Sequence, residues 1–119
     1  MTPLQMAELA NEALDDNKAI DIKTIDVSQL TNVTDYVVIC TATSTRHAQS
    51  LIEKVKRKLR EHSIHSQGTE GVEQNDPWVL VDFGDVVVHV LLAEAREFYS
   101  LEKLWTITEQ VREKAIGED

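Results

Sequence analysis

The feature that most constrains the fold is a run of strand-forming residues that is apolar almost throughout. The run begins at Asp35 and ends at Thr41, and the five residues between them are Tyr, Val, Val, Ile and Cys. A strand with one face in water alternates apolar with polar residues, whereas a strand covered on both faces is almost continuously apolar. This segment therefore predicts a central strand in a layered α/β domain.

Two segments have the apolar period of helices that pack on a sheet. Thr2 followed by Pro3 is typical of a helix start, and the residues predicted for its buried side are Leu4, Ala7, Ala10 and Leu14. A second helix follows Ser44 or Thr45, each of which carries a capping hydroxyl. Its apolar stripe consists of Ala48, Leu51, Ile52, Val55 and Leu59.

Three further segments predict strands. Residues 20–26 alternate apolar with polar side chains, which indicates a strand with one face open to water. Residues 78–83 and 86–92 flank a Gly84-Asp85 turn and predict a β-hairpin.

Segment 67–77 contains several turn-forming residues and is predicted to be mainly a loop. One short extra strand is considered near Ile64. A short helix is predicted over residues 94–99, and a helical apolar stripe continues to residue 115. The order α, β, β, α, β, β, α predicts a single α/β domain with a mixed β-sheet packed with helices. The helices are too few to cover both faces, so part of the sheet is expected to remain open for binding.

The charge is acidic and unevenly distributed. The net charge is -9, yet half of the 12 Lys and Arg residues lie between Arg46 and Arg60. Residues 67–102 contain eight acidic side chains and one basic one, Arg96. Nucleic-acid affinity comes mainly from neutralising phosphates, so we expect little or no direct RNA contact and a basic protein as partner.

Cysteine content and hydropathy indicate a cytoplasmic protein without direct membrane contact. Cys40 is the only cysteine, which rules out an internal disulfide and suits a reducing compartment. The first residues lack the pattern of a signal peptide, and the nearly apolar run 86–93 is far too short to span a bilayer.

Two patterns raise the question of catalysis. Asp82 and Asp85 are three residues apart across a turn, whereas carboxylates that share a magnesium ion usually lie at i and i+2 on one strand face. A turn role is therefore favoured over a metal site. Residues 41–44 lie between strand and helix but lack the glycines of a phosphate loop, which favours a helix cap.

The remaining histidines and the cysteine are predicted to have structural roles. His62 and His65 are close together, but a zinc site needs more ligands in recognisable pairs. His89 lies mid-strand and is expected to be hydrogen-bonded, and Cys40 to be a buried, inert thiol. The basic face of the second helix is interpreted as a solvated outer face rather than as a nucleic-acid contact. We predict no metal ion, no cofactor and no catalytic residue.

Several segments together resemble the ribosomal silencing factor, or Iojap, family. They are TDYVVI at residues 34–39, STRH at 44–47, WVLVDFGDVVVH at 78–89 and FYSLEKLW at 98–105. The resemblance covers roughly residues 3–105. It implies a domain over residues 1–105, with residues 106–119 as a helical extension with a frayed tail.

The resemblance implies a nucleotidyltransferase-like fold without the catalytic carboxylate pair, and therefore a protein that is not an enzyme. It also implies binding to the large ribosomal subunit through its fourteenth protein. Such binding would block joining of the small subunit and repress translation when nutrients are scarce. Ala42 stands where many relatives carry glycine, which further weakens a phosphate-loop interpretation.

The partner-binding surface is predicted from the resemblance and from the aromatic side chains of the acidic segment. Alternation places Trp78, Leu80 and Asp82 on one strand face, opposite Phe83. The full set of predicted docking residues is Trp78, Leu80, Asp82, Phe83, Gly84, Asp85, Phe98, Tyr99, Arg46 and His47. A small nucleotide-binding enzyme using Ser44, Asp82 and Asp85 remains the alternative, and the free protein is considered a possible homodimer.

Overall fold

The computed structural model of the chain describes residues 1–98. The elements within these residues are α1 (Pro3–Asp16), β1 (Ile20–Asp26), β2 (Tyr36–Ala42), α2 (Thr45–Arg60), β3 (Gly68–Glu70), β4 (Trp78–Asp82), β5 (Val86–Leu92) and α3 (Ala93–Phe98). The predicted helical stripe from Leu101 and the predicted extension of residues 106–119 lie outside the described residues.

The five strands form one mixed sheet in the order β1-β2-β5-β4-β3. β2 and β5 run parallel and the other neighbours run antiparallel, which confirms the predicted mixed sheet and the predicted hairpin of β4 and β5. The short extra strand considered near Ile64 is β3, which begins later, at Gly68, inside the predicted loop. The sequence did not locate it because its three residues are all exposed and show no apolar alternation. Pairing with β4 defines it instead.

β2 is the central strand that its apolar run predicts. Six of its seven residues are buried, so both of its faces are covered. Val38 and Cys40 point into the main core, which also contains the buried faces of α1 and α2. Ile39 points to the other side and packs with Leu91 and Ala95 in a smaller cluster. Both long helices therefore cover the same side of the sheet.

The two long helices begin as their capping residues predict. The Thr2 side chain accepts a hydrogen bond from Gln5 N, and the Gln5 side chain accepts one from Thr2 N, which completes a capping box. The Ser44 side chain accepts from His47 N and caps α2. The expected burial of Leu4 is wrong, because this residue is 47% exposed. Ala7, Ala10 and Leu14 are buried as their spacing predicts, and Met6 and Ala13 widen the packed face of α1.

α3 covers one end of the other side of the sheet and is held there by Arg96. Arg96 Nη1 donates to the Asp21 carbonyl oxygen at 2.7 Å and to Thr41 Oγ1 at 2.9 Å. Its Nη2 lies 3.3 Å from Asp21 Oδ2 without hydrogen-bond geometry. Asp21 adopts a φ of 51° where the β1–β2 register shifts, so a bulge in β1 turns its carbonyl towards α3.

Candidate docking surface

The side of the sheet away from α1 and α2 is called the open face below. On β4, Val79 and Val81 are at most 1% exposed, whereas Trp78, Leu80 and Asp82 on the open face are only partly buried. Leu80 pairs with His89 of β5, and Asp82 pairs with Val87. The alternation predicted for β4 is therefore confirmed, and it exposes apolar side chains next to a carboxylate.

A hydrogen bond between side chains fixes the indole ring of Trp78. Trp78 Nε1 donates to His89 Nδ1 at 2.9 Å, and the two ring centroids are 5.7 Å apart. Burial lowers the pKa of His89 to about 4, while the nearby Asp82 carboxylate acts in the opposite direction. At neutral pH the imidazole is therefore uncharged and available as an acceptor. His89 is a hydrogen-bonded sheet residue, as its mid-strand position predicts.

The Asp82–Asp85 segment forms the predicted turn. Asp82 Oδ1 accepts a hydrogen bond from Gly84 N at 2.7 Å, and Gly84 has a φ of 86°. The Asp85 carbonyl oxygen accepts from Tyr36 N at 3.1 Å, which ties the turn to the start of β2. Within residues 1–98 no three His, Cys, Asp or Glu side chains converge as metal ligands. The Asp85 side chain is exposed.

Phe83 does not share the open face with its neighbours. It is 5% exposed and belongs to the core under the helices. Its place in the predicted set is corrected accordingly, because a side chain in the core is not accessible to a partner. Phe98 is the last residue of α3, its side chain is outside the described part of the structure, and Tyr99 follows beyond it.

Arg46 and His47 lie at the start of α2, on the helical side of the sheet. His47 Nδ1 accepts from Thr43 N at 3.0 Å, and its Nε2 lies 3.0 Å from the Asn17 carbonyl oxygen. His47 thus links the end of α1 to the loop before α2, a role that the sequence pattern did not suggest. Arg46 is exposed nearby. The structure does not bring these two residues together with Trp78 and Leu80 on one face.

The loop between β3 and β4 lines a groove beside the open face. Its volume is about 410 Å³, and it is lined by Glu70, Gly71, Asp76, Pro77, Trp78 and Leu80. Four of these residues, Glu70, Gly71, Asp76 and Pro77, lie in the predicted loop 67–77 and were not among the predicted docking residues. The acidic excess of segment 67–102 was the available signal for Glu70 and Asp76.

Cys40 is buried, and burial raises the pKa of its thiol to about 12, with Arg96 acting in the opposite direction. The thiol is therefore protonated at neutral pH and unreactive, as its position in an apolar strand predicts. No helix among residues 1–98 has the length and hydropathy needed to cross a bilayer.

Comparisons with known proteins identify the family. The family model described as "Ribosomal silencing factor during starvation" matches residues 1–119. A ribosomal silencing factor from Chromobacterium violaceum is 43% identical over 101 residues, covering 85% of this chain and 82% of that protein. A crystal structure from the same organism superposes with a TM-score of 0.83 at 42% identity, covering 89% of this chain and 88% of the other.

A mouse protein named "Mitochondrial assembly of ribosomal large subunit protein 1" is 42% identical over 92 residues. The match covers 75% of this chain and 40% of the mouse protein. These family names denote regulatory or assembly proteins and not enzymes. With a family model that spans the whole chain and a superposable fold, the chain belongs to the ribosomal silencing factor family.

Proposed function

We propose that this protein binds the large ribosomal subunit through the open face of its sheet and sterically prevents the small subunit from joining. The partner would be the fourteenth protein of the large subunit, and the outcome would be repression of cytoplasmic translation under nutrient limitation. The observation that carries the proposal is the composition of the open face. Partly exposed Trp78 and Leu80 lie there beside the carboxylate of Asp82.

Two features support this choice of surface, and a third supports the choice of partner. Trp is among the residues most often found as interface anchors, and the Trp78–His89 bond holds this one in a single orientation before binding. The acidic surroundings favour a basic protein over bare RNA. The name of the mouse relative supports the large subunit as the particle that is bound.

Steric exclusion requires only binding at the right place and no chemistry. The described residues fit that requirement, because Asp82 serves the hairpin turn and the Cys40 thiol is buried. The proposed docking residues on the described surface are Trp78, Leu80 and Asp82, with Gly84 and Asp85 at the hairpin end. A homodimer formed by the free protein would compete with the ribosome if it used the same face.

Co-sedimentation with separated ribosomal subunits tests the proposal. The purified protein should pellet with the large subunit and not with the small one. Leu80→Ser should weaken binding by about tenfold, the effect of removing an interface anchor. Leu4→Ser is the matched control, because Leu4 is an exposed leucine on α1, on the opposite side of the sheet.

A second variant removes charge without removing the turn. Asp82→Asn retains an acceptor for Gly84 N, so a loss of binding would report the missing carboxylate charge. Failure of the wild-type protein to bind either subunit would refute the proposed function. Binding that survives both Leu80→Ser and Asp82→Asn would place the contact elsewhere. Pre-incubation of large subunits with the protein should also reduce 70S formation on sucrose gradients.

A further inference from the structure

The groove beside the open face combines apolar and acidic lining in one place. Trp78, Leu80 and Pro77 provide apolar surface, and Glu70 and Asp76 provide carboxylates. A second cavity of about 430 Å³ shares Glu70 and Asp76 and continues along the loop to Glu73. The acidic lining therefore extends from the edge of the open face along the whole loop.

The walls of this groove are held in position by the rest of the protein. Asp76 N donates to the Gly71 carbonyl oxygen at 3.0 Å. Gly71 has a φ of 81°, and a Cβ at this residue would lie 2.6 Å from the Trp78 carbonyl oxygen. Only glycine allows the loop to approach β4 so closely.

Gln49 of α2 fastens the same loop from the other side. Its Nε2 donates to the Val72 carbonyl oxygen at 3.0 Å and also to Asn75 Oδ1. A loop tied both to a helix and to a strand loses little conformational freedom when a ligand enters. A preformed site of this kind binds at a lower entropic cost.

Within the described residues, no Lys or Arg forms an ion pair with the carboxylates of the groove. Segment 61–95 contains no Lys or Arg, and none of the ion pairs within residues 1–98 involves Glu70, Glu73 or Asp76. All three residues are exposed. A cationic side chain with an aliphatic stem would complement both parts of the lining, because the stem packs on apolar surface while the head meets carboxylates.

We propose that this groove receives an Arg or Lys side chain from an exposed segment of a basic protein of the large subunit. The inference rests on the proposed function and adds Glu70 and Asp76 to the docking surface. An RNA strand is the disfavoured occupant, because its phosphates would face the carboxylates of Glu70 and Asp76. Arg fits better than Lys, since its planar guanidinium binds a carboxylate with two hydrogen bonds and also stacks on an indole ring.

The test measures affinity of fluorescently labelled protein for isolated large subunits at several salt concentrations. One variant carries Glu70→Lys and Asp76→Lys, and a second carries the neutral, isosteric changes Glu70→Gln and Asp76→Asn. The control carries Glu8→Lys and Asp16→Lys, which make the same charge change at exposed positions of α1. Circular dichroism verifies that each variant folds.

The lysine pair is expected to weaken binding by about tenfold or more, and the neutral pair by about threefold with a flatter dependence on salt. The control should remain within about twofold of the wild type. Wild-type binding that both groove variants retain would overturn the groove assignment and leave the proposed function standing. Tighter binding by the lysine pair would overturn it in favour of RNA. Absence of wild-type binding would overturn the proposed function and this inference together.

Discussion

The uncharged His89 that pairs with Trp78 predicts that the free energy of unfolding falls as the pH is lowered. His89 is uncharged in the folded protein because burial lowers its pKa to about 4 from the ordinary 6.5. In the unfolded chain the imidazole binds a proton as pH falls through its ordinary pKa, while the folded protein does not. Uncharged His89 therefore makes its full contribution to the free energy of unfolding above the ordinary pKa of histidine. That contribution is lost as pH falls towards 4.

The size of the effect follows from the two pKa values. One unit of pKa difference corresponds to about 1.4 kcal/mol. Integrating proton uptake by the unfolded chain between about pH 7 and pH 5 gives a loss of about 2 kcal/mol in the free energy of unfolding. That is a substantial fraction of the stability of a small domain.

Urea denaturation at several pH values measures this loss, with His89→Asn as the reference. Asn is uncharged at every pH used and retains an acceptor near the position of Nδ1 for Trp78 Nε1. The variant should be less stable at neutral pH, and the gap to the wild type should shrink by about 2 kcal/mol as pH falls to about 5. A gap that is constant over this range would show that His89 titrates normally in the folded state and would refute the reasoning.

Arg96→Met should reduce the free energy of unfolding by about 1–3 kcal/mol in urea denaturation, because it leaves the Asp21 carbonyl and the Thr41 hydroxyl without their donor. Lys23→Met is the control, because it removes only an exposed ion pair to Asp21 at 3.8 Å and should lower the free energy of unfolding by less than about 0.5 kcal/mol. Equal losses of stability in the two variants would contradict the assigned role of Arg96. The Cys40 thiol, with a pKa raised to about 12, should react with a disulfide reagent at about pH 8 roughly a thousandfold more slowly than in denaturant. Rapid labelling of the native protein would contradict its burial.

The distribution of charge gives the molecule two different surfaces. Lys and Arg side chains concentrate on α2, where Lys58 pairs with Glu12 of α1 and Lys56 with Glu53. β3, β4 and the loop between them contain four carboxylates and no Lys or Arg, whereas the helical side combines the basic residues of α2 with four carboxylates on α1. The β3–β4 side is therefore uniformly acidic and the helical side is mixed in charge, which favours approach of a basic partner to the β3–β4 side.

Local patterns predicted the elements well because each depends on neighbouring residues. The apolar run of β2, the cap at Ser44 and the turn at Gly84 each reflect interactions over a few positions. The position of β3 was not predicted correctly, because its three exposed residues carry no such pattern and form a strand only through pairing with β4. The packed face of α1 was misjudged at Leu4, where period alone could not decide which apolar residue at the helix start would be covered.

The sequence by itself determined the class of fold, the alternation that separates Trp78 from Phe83, and the family. Only the tertiary structure decided which side of the sheet the helices cover, and therefore which of these two aromatic residues faces out. It also decided that Arg46 lies on the helical side and that Glu70 and Asp76 line a groove with Trp78. The physical reason is the separation along the chain of the residues that interact. Periods and caps depend on contacts a few residues apart, whereas strand order and helix placement depend on the packing of distant segments.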